Sequence, residues 1–249
     1  MKSKNSEMSI GSHFNELRSR TLTCILFYIV IFLICYFYSK EIYHFLLQPF
    51  IEVSQNNQNR KLIYTSPTEA FMTYLKLSFY SSLFFSFPIF FAEFYLFLSP
   101  ALYKNEKKNI LFTIFFSSFL FLFGAIFCYF FILPMALKFF SSFENISSIS
   151  DSTLPIYLET KISDYLNFTI NLLFGFGIAF LSPILLLFLI KGGYVKVKDL
   201  RSKRRYWIVI IFILSAILTP PDILSQISLA ILLIILFEIV ILLGKYFNK

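Results

Sequence analysis

Long apolar runs recur through this chain: Leu22–Tyr38, Ala70–Leu98, Ile110–Leu137, Leu166–Ile190 and Ile223–Leu243. A bilayer core of about 30 Å takes on the order of 20 helical residues to cross, so each run reads as a transmembrane helix. A further segment, Tyr206–Leu218, is short; at helical rise its apolar stretch covers only about 20 Å. It crosses by locally thinning the bilayer, or with Arg204 and Arg205 snorkelling at its end. With 57% hydrophobic and 14% charged residues, the 249-residue chain has too little polar surface to cover a soluble globule. The expected fold is an all-α integral membrane protein forming a single domain over residues 1–249, with six transmembrane helices in a concave bundle and short fifth and sixth spans.

Lysine and arginine set the orientation. They gather around residues 2–20, 104–108, 191–205 and 245–249, while the alternate loops hold only Lys40, Arg60, Lys61, Lys138 and Lys161. The positive-inside rule makes the first set cytoplasmic, with both termini on that side. The first apolar run exceeds a usual signal-peptide core and lacks a small-x-small cleavage site, so it is expected to remain as a span. Pro88, Pro134 and Pro183 each remove a helical hydrogen bond and are expected to kink spans two, three and four.

The composition excludes several chemistries. Cys24, Cys35 and Cys128 stand singly in apolar stretches, and His13 and His44 are isolated, so no metal-ligand set is expected. No phosphate loop, dinucleotide-binding fingerprint or nucleophile elbow occurs, so neither a cofactor nor catalysed covalent chemistry is expected. The 35 phenylalanines read as lipid-facing and interhelical bulk.

Polar residues near the spans carry the functional signal. Lys76 and Glu93 in span two and Glu238 in span six are ionisable groups in hydrocarbon, each near a span end, where snorkelling or mutual pairing competes with a functional role. Glu16 and Glu106 are acids on the basic face. Glu16 alone reads as an i, i+4 partner of Arg20, and Glu106 alone as part of a solvated turn. Their shared sidedness points to a cationic ligand, and a carboxylate pair selects arginine through its two-donor fork. Asp222, in the Thr219-Pro220-Pro221-Asp222 turn, is placed to cap the sixth helix, and Gln226 one turn on can hydrogen-bond a neighbouring span.

Four segments together resemble the TatC family, the multi-spanning subunit of the twin-arginine protein translocase: His13-Phe14-Asn15-Glu16-Leu17-Arg18; Ser66-Pro67-Thr68-Glu69-Ala70-Phe71; Phe97-Leu98-Ser99-Pro100-Ala101-Leu102-Tyr103 with Glu106; and Leu218-Thr219-Pro220-Pro221-Asp222. The resemblance implies a receptor in the bacterial cytoplasmic membrane that carries folded proteins across on the proton-motive force. It places recognition of twin-arginine signal peptides on Glu16 and Glu106, with Arg18, Phe97 and Pro100 in support. Transport or structural roles are implied for Pro49, Phe71, Tyr129, Asp222 and Gln226. The implied partners are twin-arginine precursors, single-span subunits of the TatA and TatB type docked on spans five and six, further copies of the chain, and membrane lipid, with no nucleic acid. Members of the family often carry a span-four glutamate where this chain has Leu181; Glu93 is the carboxylate that could stand in for it. The alternative class is a small-solute secondary transporter, which would place its polar groups near mid-membrane.

Overall fold

The computed structural model describes residues 10–54, 62–98, 110–143 and 159–247. Pro100 and Glu106 lie outside them. Helices account for nearly all of it: α1 (Ile10–Phe37), α2 (Ser39–Ser54), α3 (Glu69–Leu98), α4 (Ile110–Phe127), α5 (Leu133–Ser141), α6 (Ile162–Ala179), α7 (Ser182–Lys191), α8 (Val197–Ser202), α9 (Arg204–Leu218) and α10 (Ile223–Phe247). Among the described residues, five helical segments are long and apolar enough to cross a membrane: Phe14–Phe37, Glu69–Phe97, Thr113–Ser141, Ile162–Ile190 and Ile223–Gly244. The expected short fifth span is α9, whose 15 residues reach about 22 Å. The sixth is longer than expected: α10 has 25 residues, because the helix continues through Gly244 past the apolar run.

Proline acts differently in each span. Pro88 lies inside α3, which continues through it without a break. Pro134 follows a π-helical turn, Cys128–Ile132, in which the Leu133 amide donates to the Cys128 carbonyl. Pro183 opens α7 after a turn at Phe180 and Leu181, where two amides, of Ile184 and Leu185, converge on the Leu181 carbonyl. Span four is therefore two helices in series, and a proline without an N–H fits the first turn of the second.

The chain forms two compact units, residues 1–38 with 78–118 and residues 39–77 with 119–249. The first contains α1 and the later part of α3. Tyr28 ties these together: its hydroxyl donates to the Phe79 carbonyl at 3.3 Å and its ring packs edge-on to that of Phe79.

The second unit holds a continuous apolar core in which Phe176, Leu172, Leu133, Leu229 and Val240 are buried. Its helices approach closely where side chains are absent. A Cβ on Gly175 of α6 would sit 2.5 Å from the Leu218 carbonyl oxygen at the end of α9, so only glycine allows that approach. Two short strands, β1 (Leu62–Ile63) and β2 (Thr160–Lys161), pair in parallel with Leu62 opposite Thr160. They add a small sheet to a fold expected to be all helical, and they bring the starts of α3 and α6 together.

Candidate functional site

Glu16 and Arg20 share one face of α1 because four residues make about one turn. Arg20 donates to Glu16 Oε1 through Nε at 3.0 Å and Nη2 at 2.8 Å. The same guanidinium reaches α3, where Nη1 donates to Glu93 Oε2 at 2.9 Å. One arginine thus bridges two carboxylates, and the three charges leave the cluster with one net negative charge. About a quarter or less of each side chain is exposed, which limits but does not abolish solvent screening.

This arrangement joins two expectations that the sequence kept apart, the Glu16–Arg20 pair and the pairing of an acid within span two. Glu93 becomes a member of the cluster, a role that sequence reasoning did not assign to it. The available signal was that Arg20 and Glu93 both lie near span ends on the basic face. Of the other expected recognition residues, Arg18 is exposed on α1, and Phe97 is half-buried on α3, one turn from Glu93. Arg20 uses one oxygen of each carboxylate, so among the described residues Glu16 Oε2 and Glu93 Oε1 remain available to a further donor.

Glu238 is also paired, with Arg204 Nη2 at 2.7 Å from Glu238 Oε2, in a more exposed setting. Both acids within spans therefore meet an arginine from near a span end, the mutual pairing that the sequence allowed.

The residues to which the resemblance gives transport or structural roles fall into separate local structures of the second unit. Pro49 is buried inside α2. Lacking an N–H, it leaves the Phe45 carbonyl, four residues back, without its helical donor. The Tyr129 hydroxyl supplies that donor at 2.6 Å, and its ring stacks on Phe45 with centroids 4.6 Å apart. One turn of the same helix is held again by Tyr165, whose hydroxyl donates to the Leu46 carbonyl at 2.7 Å. Pro49 and Tyr129 are thus two halves of one hydrogen-bonding solution. In this region burial pushes the Tyr43 phenol up to about 12, with Tyr64 and Tyr74 adding to the shift, so it stays a neutral hydroxyl.

Asp222 caps α10 as expected: Oδ2 accepts from the Ser225 amide at 2.7 Å. Its other oxygen, Oδ1, is buried without a partner among the described residues. Gln226 is half-buried one turn on, and Phe71 is exposed near the start of α3. Eight hydrophobic residues of α9, from Tyr206 to Ile217, are exposed.

Several apolar spans, arginine-paired acids and a wide apolar exterior define a multi-pass α-helical membrane protein. The family model for Sec-independent protein translocase protein (TatC) matches residues 12–231. The TatC of Rickettsia prowazekii is 46% identical over 238 residues, covering 96% of this chain and 93% of that protein. The TatC of Escherichia coli K12 is 36% identical over 240 residues, covering 96% and 87%. A crystal structure of the twin arginine translocase receptor TatC in DDM superposes with a TM-score of 0.77 at 34% identity, covering 93% of this chain and 99% of that one. This chain belongs to the TatC family. The matches support the translocase reading and give no support to a small-solute transporter.

Proposed function

We propose that this chain is the receptor subunit of a twin-arginine translocase in the bacterial cytoplasmic membrane, binding twin-arginine signal peptides on its basic face. With single-span partner subunits it passes folded proteins across the membrane on the proton-motive force, and it catalyses no covalent chemistry. The carrying observation is the Glu16–Arg20–Glu93 cluster, in which two carboxylates already bind one guanidinium with two oxygens to spare. An incoming arginine meets the same chemistry that Arg20 does, and takes the free oxygens or replaces Arg20 on one acid. Glu93 thus joins Glu16 and Glu106 among the recognition acids, with Arg18, Phe97 and Pro100 in the supporting roles that the resemblance implies.

A Lys side chain offers one compact charge in place of the planar fork, so a twin-lysine peptide is the discriminating control. A photocrosslinker at Phe97, one turn from Glu93 on α3, is expected to capture a twin-arginine precursor and to lose it with the twin-lysine version. Glu16→Gln and Glu93→Gln should each reduce capture while leaving the protein inserted. Equal capture of both peptides by the unaltered receptor and by the two variants would falsify the assignment.

A further inference from the structure

The β1–β2 pair holds the starts of α3 and α6 side by side, and these line a half-open cavity of about 280 Å³. Its lining changes character along α3. At the outer end stands Glu69, fixed by the Thr65 amide (2.6 Å) and hydroxyl (2.9 Å) on Oε2 and by the Ser163 hydroxyl (2.8 Å) on Oε1. These are neutral donors, and among the described residues no cation pairs with this carboxylate. Two turns further in, about 10 Å along the axis, Lys76 lines the same cavity. Unlike Glu93 and Glu238, it has no ion-pair partner among the described residues, although an ammonium within an apolar span is costly. Next to it lie buried Thr73 and half-buried Asn167, and the adjoining wall is apolar, with Leu77 and Ile170.

From the outer end inward the order is therefore carboxylate, then ammonium with hydrocarbon beside it. A phospholipid carrying a primary ammonium presents the complementary order from the surface inward: ammonium, phosphate, acyl chain. We propose that this cavity binds such a zwitterionic headgroup, with the lipid ammonium on Glu69, the phosphate on Lys76 and Asn167, and the start of the acyl chain against Leu77 and Ile170. A quaternary headgroup has no N–H to give Glu69, and an anionic glycerol headgroup places no cation there. The site does not depend on the signal-peptide reading, since its residues are separate from that cluster.

The test is native mass spectrometry of the purified full chain in detergent, titrated with phosphatidylethanolamine, phosphatidylglycerol and phosphatidylcholine of identical acyl chains. Phosphatidylethanolamine should be retained at least about fivefold more than either of the others. Lys76→Gln should remove most of that preference, Lys76→Arg should keep it, and Glu69→Gln should narrow the gap between phosphatidylethanolamine and phosphatidylglycerol. Inorganic phosphate should not displace the lipid. Thermal unfolding of each variant in lipid-free detergent separates loss of the site from loss of the fold, and if Glu69→Gln unfolds, the Lys76 pair decides. Unchanged retention in Lys76→Gln, retention of phosphatidylglycerol equal to phosphatidylethanolamine, or displacement by free phosphate would each overturn the proposal.

Discussion

The hydrogen bonds around Pro49 and those around Arg20 both tie one helix to another, but with opposite chemistry. Around Pro49 the donors are buried phenols and the acceptors are backbone carbonyls, with Tyr129 and Tyr165 less than a tenth exposed. Around Arg20 every partner is charged and partly open to solvent. A buried neutral bond has no competing partner, because breaking it strands a carbonyl in an apolar core. A part-exposed ion cluster with free oxygens can exchange partners at low cost, since water and other cations compensate for what is lost. The first arrangement suits a scaffold and the second a binding site.

Four changes test that contrast. The largest effect should come from the scaffold's closest approach: Gly175→Leu drives a side chain into the Leu218 carbonyl and should cost more than the roughly 1–3 kcal/mol of ordinary overpacking, because backbone cannot move aside easily. Loss of folded protein on size-exclusion chromatography would register it. Next, Tyr129→Phe should lower stability by about 1–3 kcal/mol by stranding the Phe45 carbonyl. In a Pro49→Ala background, where residue 49 regains an N–H, the same change should cost less; an equal penalty in both backgrounds, measured by thermal unfolding, would uncouple the two residues.

Changes in the ion cluster should move binding more than folding. Arg20→Gln removes the resident guanidinium and should strengthen capture of a twin-arginine peptide at low salt, with a stability change under about 1 kcal/mol. Weaker capture would show that Arg20 orients the acids instead of competing for them. The smallest effect is expected at the more exposed Arg204–Glu238 pair, where Arg204→Gln should shift stability by less than about 0.5 kcal/mol. A larger loss would mean that this pair anchors α9 to α10.

Much of the fold was legible because a bilayer simplifies the rules. Runs of apolar residues announced the spans, and the short fifth one was visible from its length alone. The amphipathic helix α2 was missed in what the sequence suggested was a loop, although Ile42, Leu46, Phe50 and Val53 repeat at helical spacing and Leu46 and Phe50 are buried. The β1–β2 pair left no comparable trace, since two-residue strands carry no periodicity. For the candidate site, charge placement singled out Glu16, the motif resemblance made its ligand a pair of arginines, and the capping role of Asp222 followed from its place in the turn, whereas Glu93 stood out as a costly charge and a stand-in for the span-four glutamate, not as a partner of Arg20.

By itself, the sequence determined that this chain spans a membrane, which face carries its basic residues, and to which family it belongs, because hydropathy, charge placement and ordered motifs are local properties of the chain. Tertiary structure decided which groups meet. That Arg20 joins Glu16 to Glu93, that Tyr129 answers the carbonyl freed by Pro49, and that Lys76 and Glu69 share a cavity are pairings between residues distant in sequence or directed into a common space. Hydrogen bonds and ion pairs act over a few ångströms, and only packing brings such groups within reach.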